Sequence, residues 1–519
     1  MEVIDQHVVR SVYVDSNCTT AEPRCYKHFS FMRKILVLLV AVISPFVMTA
    51  ERATPQHSSP PVLVLTHATV IAATGAPPKA DMSVIISGGR ITGLGPSREL
   101  AVPAGARVVD ATGKFLIPGL WDMHIHLDDP ELWPTHVTRE QKERVFPLLI
   151  ANGITGVRDM GGSLEQLQEW RQKITLGQML GPRMVISGPF VDGNYPEFDW
   201  LGSLRVTTEA EGREAVRSLH RRGADFIKIY NTIPRAAYFG IADEAKKLGV
   251  PFAGHVPDRI SAAEASDAGQ KSMEHMQGLL LACSAKEDAF RTEIAETYDD
   301  PKAALTPLDR GDPAVLASFS KEKCDALFAR FARNGTWQCP TLHNNWRHAH
   351  SFDKSVLNDP RVCYYPRPFR EYWNKRSLED QKRPEREARL QAYYLRLFQL
   401  VKDMRRAGVS ILAGSDSGAN EYSFPGFSLH DELAELVAAG LPPMEALQTA
   451  TLNAAKYLGM TDAFGTVEVG KMADLVLLEA DPLTDINNTR KITAVILAGQ
   501  LIDKPELQRL LASPACRDE

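Results

Sequence analysis

His124 and His126 stand one residue apart in Asp122-Met-His-Ile-His. Along an extended strand that spacing turns both imidazoles to one side, where they can share a metal ion. Later in the chain, ligand-type or proton-carrying residues follow short apolar runs: Lys228 in Phe-Ile-Lys-Ile-Tyr, His255 in Ala-Gly-His-Val, His275 in Met-Glu-His-Met and Asp416 in Ala-Gly-Ser-Asp-Ser-Gly. Each alone has a plain structural explanation. A lone histidine is often a satisfied core residue, Asp416 can cap a helix, and Lys228 can snorkel, although burying its ammonium among apolar flanks is costly. Their recurrence in order, each at the end of an apolar run, is hard to obtain by accident. Three other residues have two open roles each. Arg158 can grip a substrate carboxylate through its planar fork or pair with Asp159. Tyr230 shares one side of its strand with Lys228 and can bind substrate or simply pack. His343 can touch the reacting oxygen or hold a loop.

The elements that must position these side chains alternate. Strand patterns cover 115–126, 154–159, 183–188, 226–230, 251–256, 272–275, 336–342 and 410–416, and helical stretches separate them. Helical periodicity marks 242–248, 429–439 and 443–457, and charge-dense 377–396 contains a helix. Eight such units predict an α/β fold, a (β/α)8 TIM barrel over 115–459, whose catalytic residues belong at the C-terminal ends of the strands. Short β-branched runs at 62–66, 69–73, 82–87 and 90–94 recur in style at 465–470, 474–478 and 494–499, with Gly88-Gly89 as a hairpin turn. They predict a small β-sandwich domain built from both chain ends, 61–114 and 460–507.

The chain has 519 residues, 44% of them hydrophobic, which suffices for one large and one small core. A formal net charge of -5, from 59 basic and 64 acidic residues, argues against nucleic acid as a partner. Met32-Arg-Lys followed by an apolar run from Ile35 to Val42 reads as a signal peptide over 32–50, too short for a comfortable membrane span. Residues 1–31 then form a non-native upstream extension and 51–60 a linker. The expectation is an exported protein, periplasmic or secreted, with no stable membrane insertion after signal removal. Downstream of the signal lie Cys283, Cys324, Cys339, Cys363 and Cys516 without C-x-x-C spacing, so a thiolate zinc site is not expected. One or two disulfides among them suit an oxidising compartment.

With these residues in view, the chain resembles the amidohydrolase superfamily in its imidazolonepropionase-like and Xaa-Pro-dipeptidase-like branch, over about residues 60–505. The resemblance rests on Leu116-Ile-Pro-Gly-Leu-Trp-Asp-Met-His-Ile-His-Leu, the Lys228 strand, Asn453-Ala-Ala-Lys-Tyr-Leu-Gly and Gly465-Thr-Val-Glu-Val-Gly-Lys-Met-Ala-Asp-Leu-Val. It implies two divalent ions, zinc by donor type. His124 and His126 would hold one, His255 and His275 the other, with a carboxylated Lys228 bridging them and Asp416 as ligand and proton shuttle. The implied reaction is amide hydrolysis of a small molecule, such as a dipeptide or N-acyl amino acid, by a metal-bridging hydroxide. Cyclic amide, lactone or organophosphate ester hydrolysis is the alternative within enzymes, and a non-catalytic metal-binding protein the alternative outside them. A homo-oligomer is compatible with all of these.

Overall fold

The computed structural model describes residues 62–128, 137–194, 203–297, 312–350, 353–367, 369–371, 373–374, 384–418 and 422–512. The expected upstream extension, signal peptide and linker, and Cys516, lie outside them.

Strands β1 (Leu63–Val70), β2 (Lys79–Ser87), β3 (Arg90–Pro96), β4 (Arg107–Asp110) and β5 (Phe115–Pro118) open the described chain. Gly88 and Gly89, at φ of 56° and 76°, supply the left-handed residues that turn β2 into β3. A run of parallel strands follows: β6 (Leu120–Ile125), β7 (Ile154–Asp159), β8 (Arg183–Ile186), β9 (Val191–Asp192), β10 (Leu204–Arg205), β11 (Ile227–Ile229), β12 (Phe252–Gly254), β13 (Ser272–Glu274) and β14 (Trp337–Cys339). The chain closes on β15 (Leu475–Leu478), β16 (Ile492–Leu497) and β17 (Gln500–Asp503). The two chain ends combine in one eight-stranded sheet, ordered β17-β16-β15-β5-β1-β2-β3 with β4 beside β1. Leu65, Val84, Leu116, Leu475 and Ile496 form its core; two facing sheets, as a sandwich requires, are not resolved as separate ladders among the described residues.

The parallel strands form a three-stranded sheet, β6-β7-β8, and a six-stranded one, β10-β9-β11-β12-β13-β14. Helices fill the connections. In Arg235–Leu248, between β11 and β12, Ala237, Ile241 and Ala245 recur every four residues on the buried face, and Gly249 ends the helix at φ 67°. Thr208 and Glu211 form a reciprocal capping box at the start of Glu209–Arg221, which precedes β11.

Three expected elements come out differently. The run 115–126 is two strands, because Gly119 passes so close to β7 that a Cβ there would lie 2.1 Å from Thr155 Oγ1. β5 therefore pairs with β1 and β15 in the terminal sheet, while β6 pairs with β7. The segment 410–416 forms no ladder. It makes isolated parallel bridges from Ile411 to Gln338 and from Ser417 to Ile125, and leaves extended geometry at Asp416, φ 55°. The run 443–457 breaks into Pro443–Thr449 and Leu452–Leu458. The carbonyls of Thr449 and Ala450 accept from the amides of Ala413 and Trp121 instead of continuing one helix. The expected helix within 377–396 is part of Pro384–Arg406.

Cys283 and Cys324 form a disulfide that ties the segment after β13 to helix Lys321–Asn334, and Cys339 is free and buried. No helix among the described residues is long and apolar enough to cross a membrane. Because the crossing at Gly119 has no room for a side chain, Gly119→Ala is expected to destabilise the fold by about 1–3 kcal/mol. A lower urea midpoint reads this; an unchanged midpoint would show that Thr155 yields freely.

Candidate metal centre

The alternation along β6 does what the spacing requires. His124 and His126 have ring centroids 5.3 Å apart. His275, just past β13, brings its ring to 4.6 Å from that of His124 and 4.9 Å from that of His255, just past β12. All four imidazoles thus gather at the C-terminal ends of parallel strands. Asp416 closes the group, with Oδ1 3.3 Å from His124 Nε2 and 3.4 Å from His126 Nε2. His124, His275 and Asp416 each offer one ligand atom within 4.8 Å of the others.

The Nδ1 atoms of three histidines are engaged by neighbouring side chains. His124 Nδ1–H donates to Glu274 Oε2 at 2.9 Å and His255 Nδ1–H to Asn231 Oδ1 at 2.6 Å, while His275 Nδ1 meets Thr341 Oγ1 at 2.7 Å. Donation from Nδ1 fixes the tautomer that leaves an Nε2 lone pair for a metal, the usual outer arrangement of metal-binding histidines. Burial, partly opposed by Asp416, pulls His124 down to about 4, and burial likewise holds His275 well below the usual histidine range. Neutral imidazoles are the form that ligates.

Lys228 lies on β11, 1% exposed, its Nζ without a hydrogen-bond partner among the described residues and 5.9 Å from the Tyr230 ring centroid. Burial pushes it down to about 8 against the opposing pull of Glu274 and Asp416. For Asp416, burial alone would raise the carboxyl, but His275, His124 and His126 together hold it well below the usual carboxylate range. His124 Nε2 and Lys228 Nζ are buried polar atoms that lack hydrogen-bond partners at one centre. With their nitrogen and oxygen donors, these residues fit a divalent metal.

Three positions had two roles open, and the structure gives their contacts. Arg158 is fully buried and bonded to protein. Its Nε donates to Met123 O, one terminal nitrogen to Ser272 Oγ and Tyr457 Oη, and the other to both oxygens of Glu274 at 3.1 and 2.9 Å. A guanidinium so occupied has no fork left for a substrate carboxylate. It does not pair with Asp159 either, whose oxygens accept from the Leu127 and Gly161 amides. Tyr230 stacks between Phe190, at 5.0 Å, and His255, at 4.2 Å. The His343 imidazole lies 3.3 Å from Asp431 and stacks on Trp346.

Sequence reasoning missed Glu274, Asn344, Asp122 and Asn231. Glu274 left a signal, since a carboxylate inside the apolar run Ser-Met-Glu-His demands a buried partner. Asp122 is buried, accepts from the backbone of Ser415 and His124 and from Ser415 Oγ, and is pushed up to about 6 by burial. Asn344, whose Nδ2 donates to Asp416 Oδ2 at 2.7 Å, comes from helix Leu342–Ala349. Nothing local in the sequence marks it.

Comparison with known proteins gives this geometry a context. The profile described as Amidohydrolase family matches residues 115–295 and 397–502. An imidazolonepropionase of Symbiobacterium thermophilum is 24% identical over 414 residues, 75% of this chain and 82% of that protein. A probable imidazolonepropionase of Xenopus laevis is 36% identical over 121 residues, 22% of this chain; this and a Xenopus tropicalis relative are matched over only 27% and 28% of their own lengths. A crystal structure of a Xaa-Pro dipeptidase with methionine in its active site superposes with a TM-score of 0.62 at 20% identity, covering 85% of this chain and all of that one. The shared fold is a TIM-barrel-like α/β architecture.

The buried Arg158–Glu274 pair yields a stability test. Glu274 titrates below the usual range, since Arg158, His124 and Lys228 outweigh the opposing effect of burial. Its stabilisation is therefore complete above the unfolded carboxyl value and fades as pH falls below it. Glu274→Gln is expected to cost about 3–5 kcal/mol at pH 7, a gap that narrows below about pH 4. Urea titrations of both proteins across pH measure it, and a gap independent of pH would count against the pair.

Proposed function

Because this chain belongs to the amidohydrolase family, we propose that it is a binuclear metal-dependent hydrolase cleaving an amide bond of a small substrate, such as a dipeptide or N-acyl amino acid. The observation that carries this reading is that His124, His275 and Asp416 each offer a ligand atom within 4.8 Å of the others, with the Nδ1 atoms of His124, His255 and His275 bonded to Glu274, Asn231 and Thr341. His124, His126 and Asp416 would hold one ion and His255 and His275 the other, zinc by donor type. Lys228, once carboxylated, would supply oxygen ligands to them. The lowered basicity of Lys228 supports that modification: an amine near pH 8 is partly neutral at physiological pH and can add carbon dioxide with loss of a proton, replacing a buried cation by an oxygen-donating anion. Metal ions held by these residues supply the electrostatic activation of water and of the scissile carbonyl.

The chain's own residues complete the chemistry. Asp416, facing the histidines through Oδ1, accepts a proton from water and passes it to the leaving nitrogen. The water oxygen joins the carbonyl carbon, the C–N bond breaks, and the amine departs with the transferred proton. The similarity to an imidazolonepropionase and to a Xaa-Pro dipeptidase supports carbon–nitrogen hydrolysis. A closed (β/α)8 barrel over 115–459, with a β-sandwich from both ends beside it, is the architecture of this reading. The parallel order of β6 to β14 and the bridges of Ile411 and Ser417 support it. Export is part of the proposal as well, supported by Met32-Arg-Lys with its apolar run and by the Cys283–Cys324 disulfide.

Assays of the zinc-loaded protein against dipeptides, N-acyl amino acids, lactones and phosphotriesters test the reaction. Amide turnover is expected, and activity confined to lactones or phosphotriesters would overturn the amide reading. Asp416→Asn is expected to lower kcat by at least about 10²-fold with metal retained, and undiminished turnover would remove Asp416 from proton transfer. Lys228→Ala is expected to lower metal content by elemental analysis; full occupancy would contradict the bridge.

A further inference from the structure

Asn344 has one half of its amide committed and the other without a partner. Its Nδ2 donates to Asp416 Oδ2 at 2.7 Å, and its Oδ1 is buried with no hydrogen-bond partner among the described residues. The orientation follows from chemistry. A carboxylate only accepts, so the nitrogen must face Asp416 and the carbonyl oxygen must point elsewhere. The side chain is 7% exposed, and a buried carbonyl left without a donor is unfavourable unless something arrives to supply one. The same amide holds still the carboxylate that faces His124 and His126. The unpartnered oxygen is therefore fixed, one carbonyl carbon away, beside the group that delivers the proton to the leaving atom.

We infer that Asn344 Oδ1 accepts a hydrogen bond from the N–H of the scissile amide, which makes Asn344 a substrate-contacting residue that selects secondary amides over esters, lactones and tertiary amides. This rests on the amide reading above and narrows it. As the nitrogen takes a proton from Asp416 and the C–N bond breaks, its N–H becomes a stronger donor, so the contact tightens as the reaction proceeds. An ester oxygen in the same position presents lone pairs to Oδ1 and leaves the buried acceptor unsatisfied, the situation in which polar sites discriminate most sharply. The tertiary amide formed with proline has no N–H to offer, so the preferred substrates are amides of primary amines and not Xaa-Pro dipeptides.

The experiment takes the amide turned over best by the zinc-loaded protein, its ester counterpart with oxygen replacing that N–H, and Asn344→Leu. Both substrates are expected to slow in the variant, because Asp416 loses its anchor. The kcat/KM ratio of amide to ester is expected to fall by about tenfold or more; an unchanged ratio would reduce Asn344 to holding Asp416 and overturn the inference. Loss of metal content in the variant with the amide-to-ester ratio unchanged would likewise reduce Asn344 to holding Asp416 and overturn the inference. A second measurement needs no variant. A phosphonamidate analogue of the amide is expected to bind the wild-type protein about tenfold or more tightly than the phosphonate with oxygen in place of that N–H, and equal affinity would overturn the inference. If the wild-type protein turns over no amide at all, the underlying reading fails, an outcome separate from all of these.

Discussion

The centre is organised around one buried carboxylate. Glu274 receives two hydrogen bonds from Arg158 and one each from His124 Nδ1 and Ser272 Oγ, with none of these side chains exposed. Such a pair contributes little net stability, because desolvating both ions offsets their attraction. What it provides is registration. Arg158 comes from β7 and reaches the Met123 carbonyl on β6, Ser272 and Glu274 on β13, and Tyr457 on helix Leu452–Leu458. A shift of any of these elements leaves a buried charge unmatched, so three strands and a helix are held to one relative placement. His124, bonded to the same carboxylate, inherits that placement.

Around this core the backbone turns sharply where the site begins. His275, Thr341 and Asp416 all adopt left-handed φ, at 60°, 46° and 55°. Residues with side chains seldom take that conformation, and each instance is sustained by its surroundings. The surroundings are identifiable. The Asp416 amide donates to the His124 carbonyl, the His275 amide to that of Cys339, and Gly418 passes so near the His126 carbonyl that a Cβ would lie 1.9 Å from its oxygen. The strand ends are thus bent inward by backbone hydrogen bonds to neighbouring strands. The side chains at those bends are the ones that meet at the centre, and the uncommon backbone and the chemistry have one cause.

The second tier of side chains connects this geometry to selectivity. Asn231 holds His255 and also accepts from Gln277, Thr341 pairs with His275, and Asn344 anchors Asp416. These are neutral groups that orient ligands without adding charge to a centre already dense in it. Outside it, His343 and Asp431 belong to a separate network with Arg361 and Arg490, built on helices that follow β14 and Asp416.

The sequence by itself singled out His124, His126, His255, His275 and Asp416, whose side chains converge in the fold. His-x-His spacing on an apolar run, and Lys228, His255, His275 and Asp416 each after another such run, are local patterns, and strand periodicity reads them without knowledge of the fold. It also determined that both chain ends are β-rich and that helices separate the parallel strands. Only the tertiary structure decided that Arg158 serves Glu274 rather than substrate, that Tyr230 stacks on Phe190 and His255, and that Asn344 stands against Asp416, 72 residues away in sequence. It also decided where 115–126 divides, because the room at Gly119 depends on Thr155 of another strand. Periodicity fixes the side of a strand on which a residue lies. The partner that a buried charge or amide finds there depends on contacts made across the fold, and no local pattern encodes them.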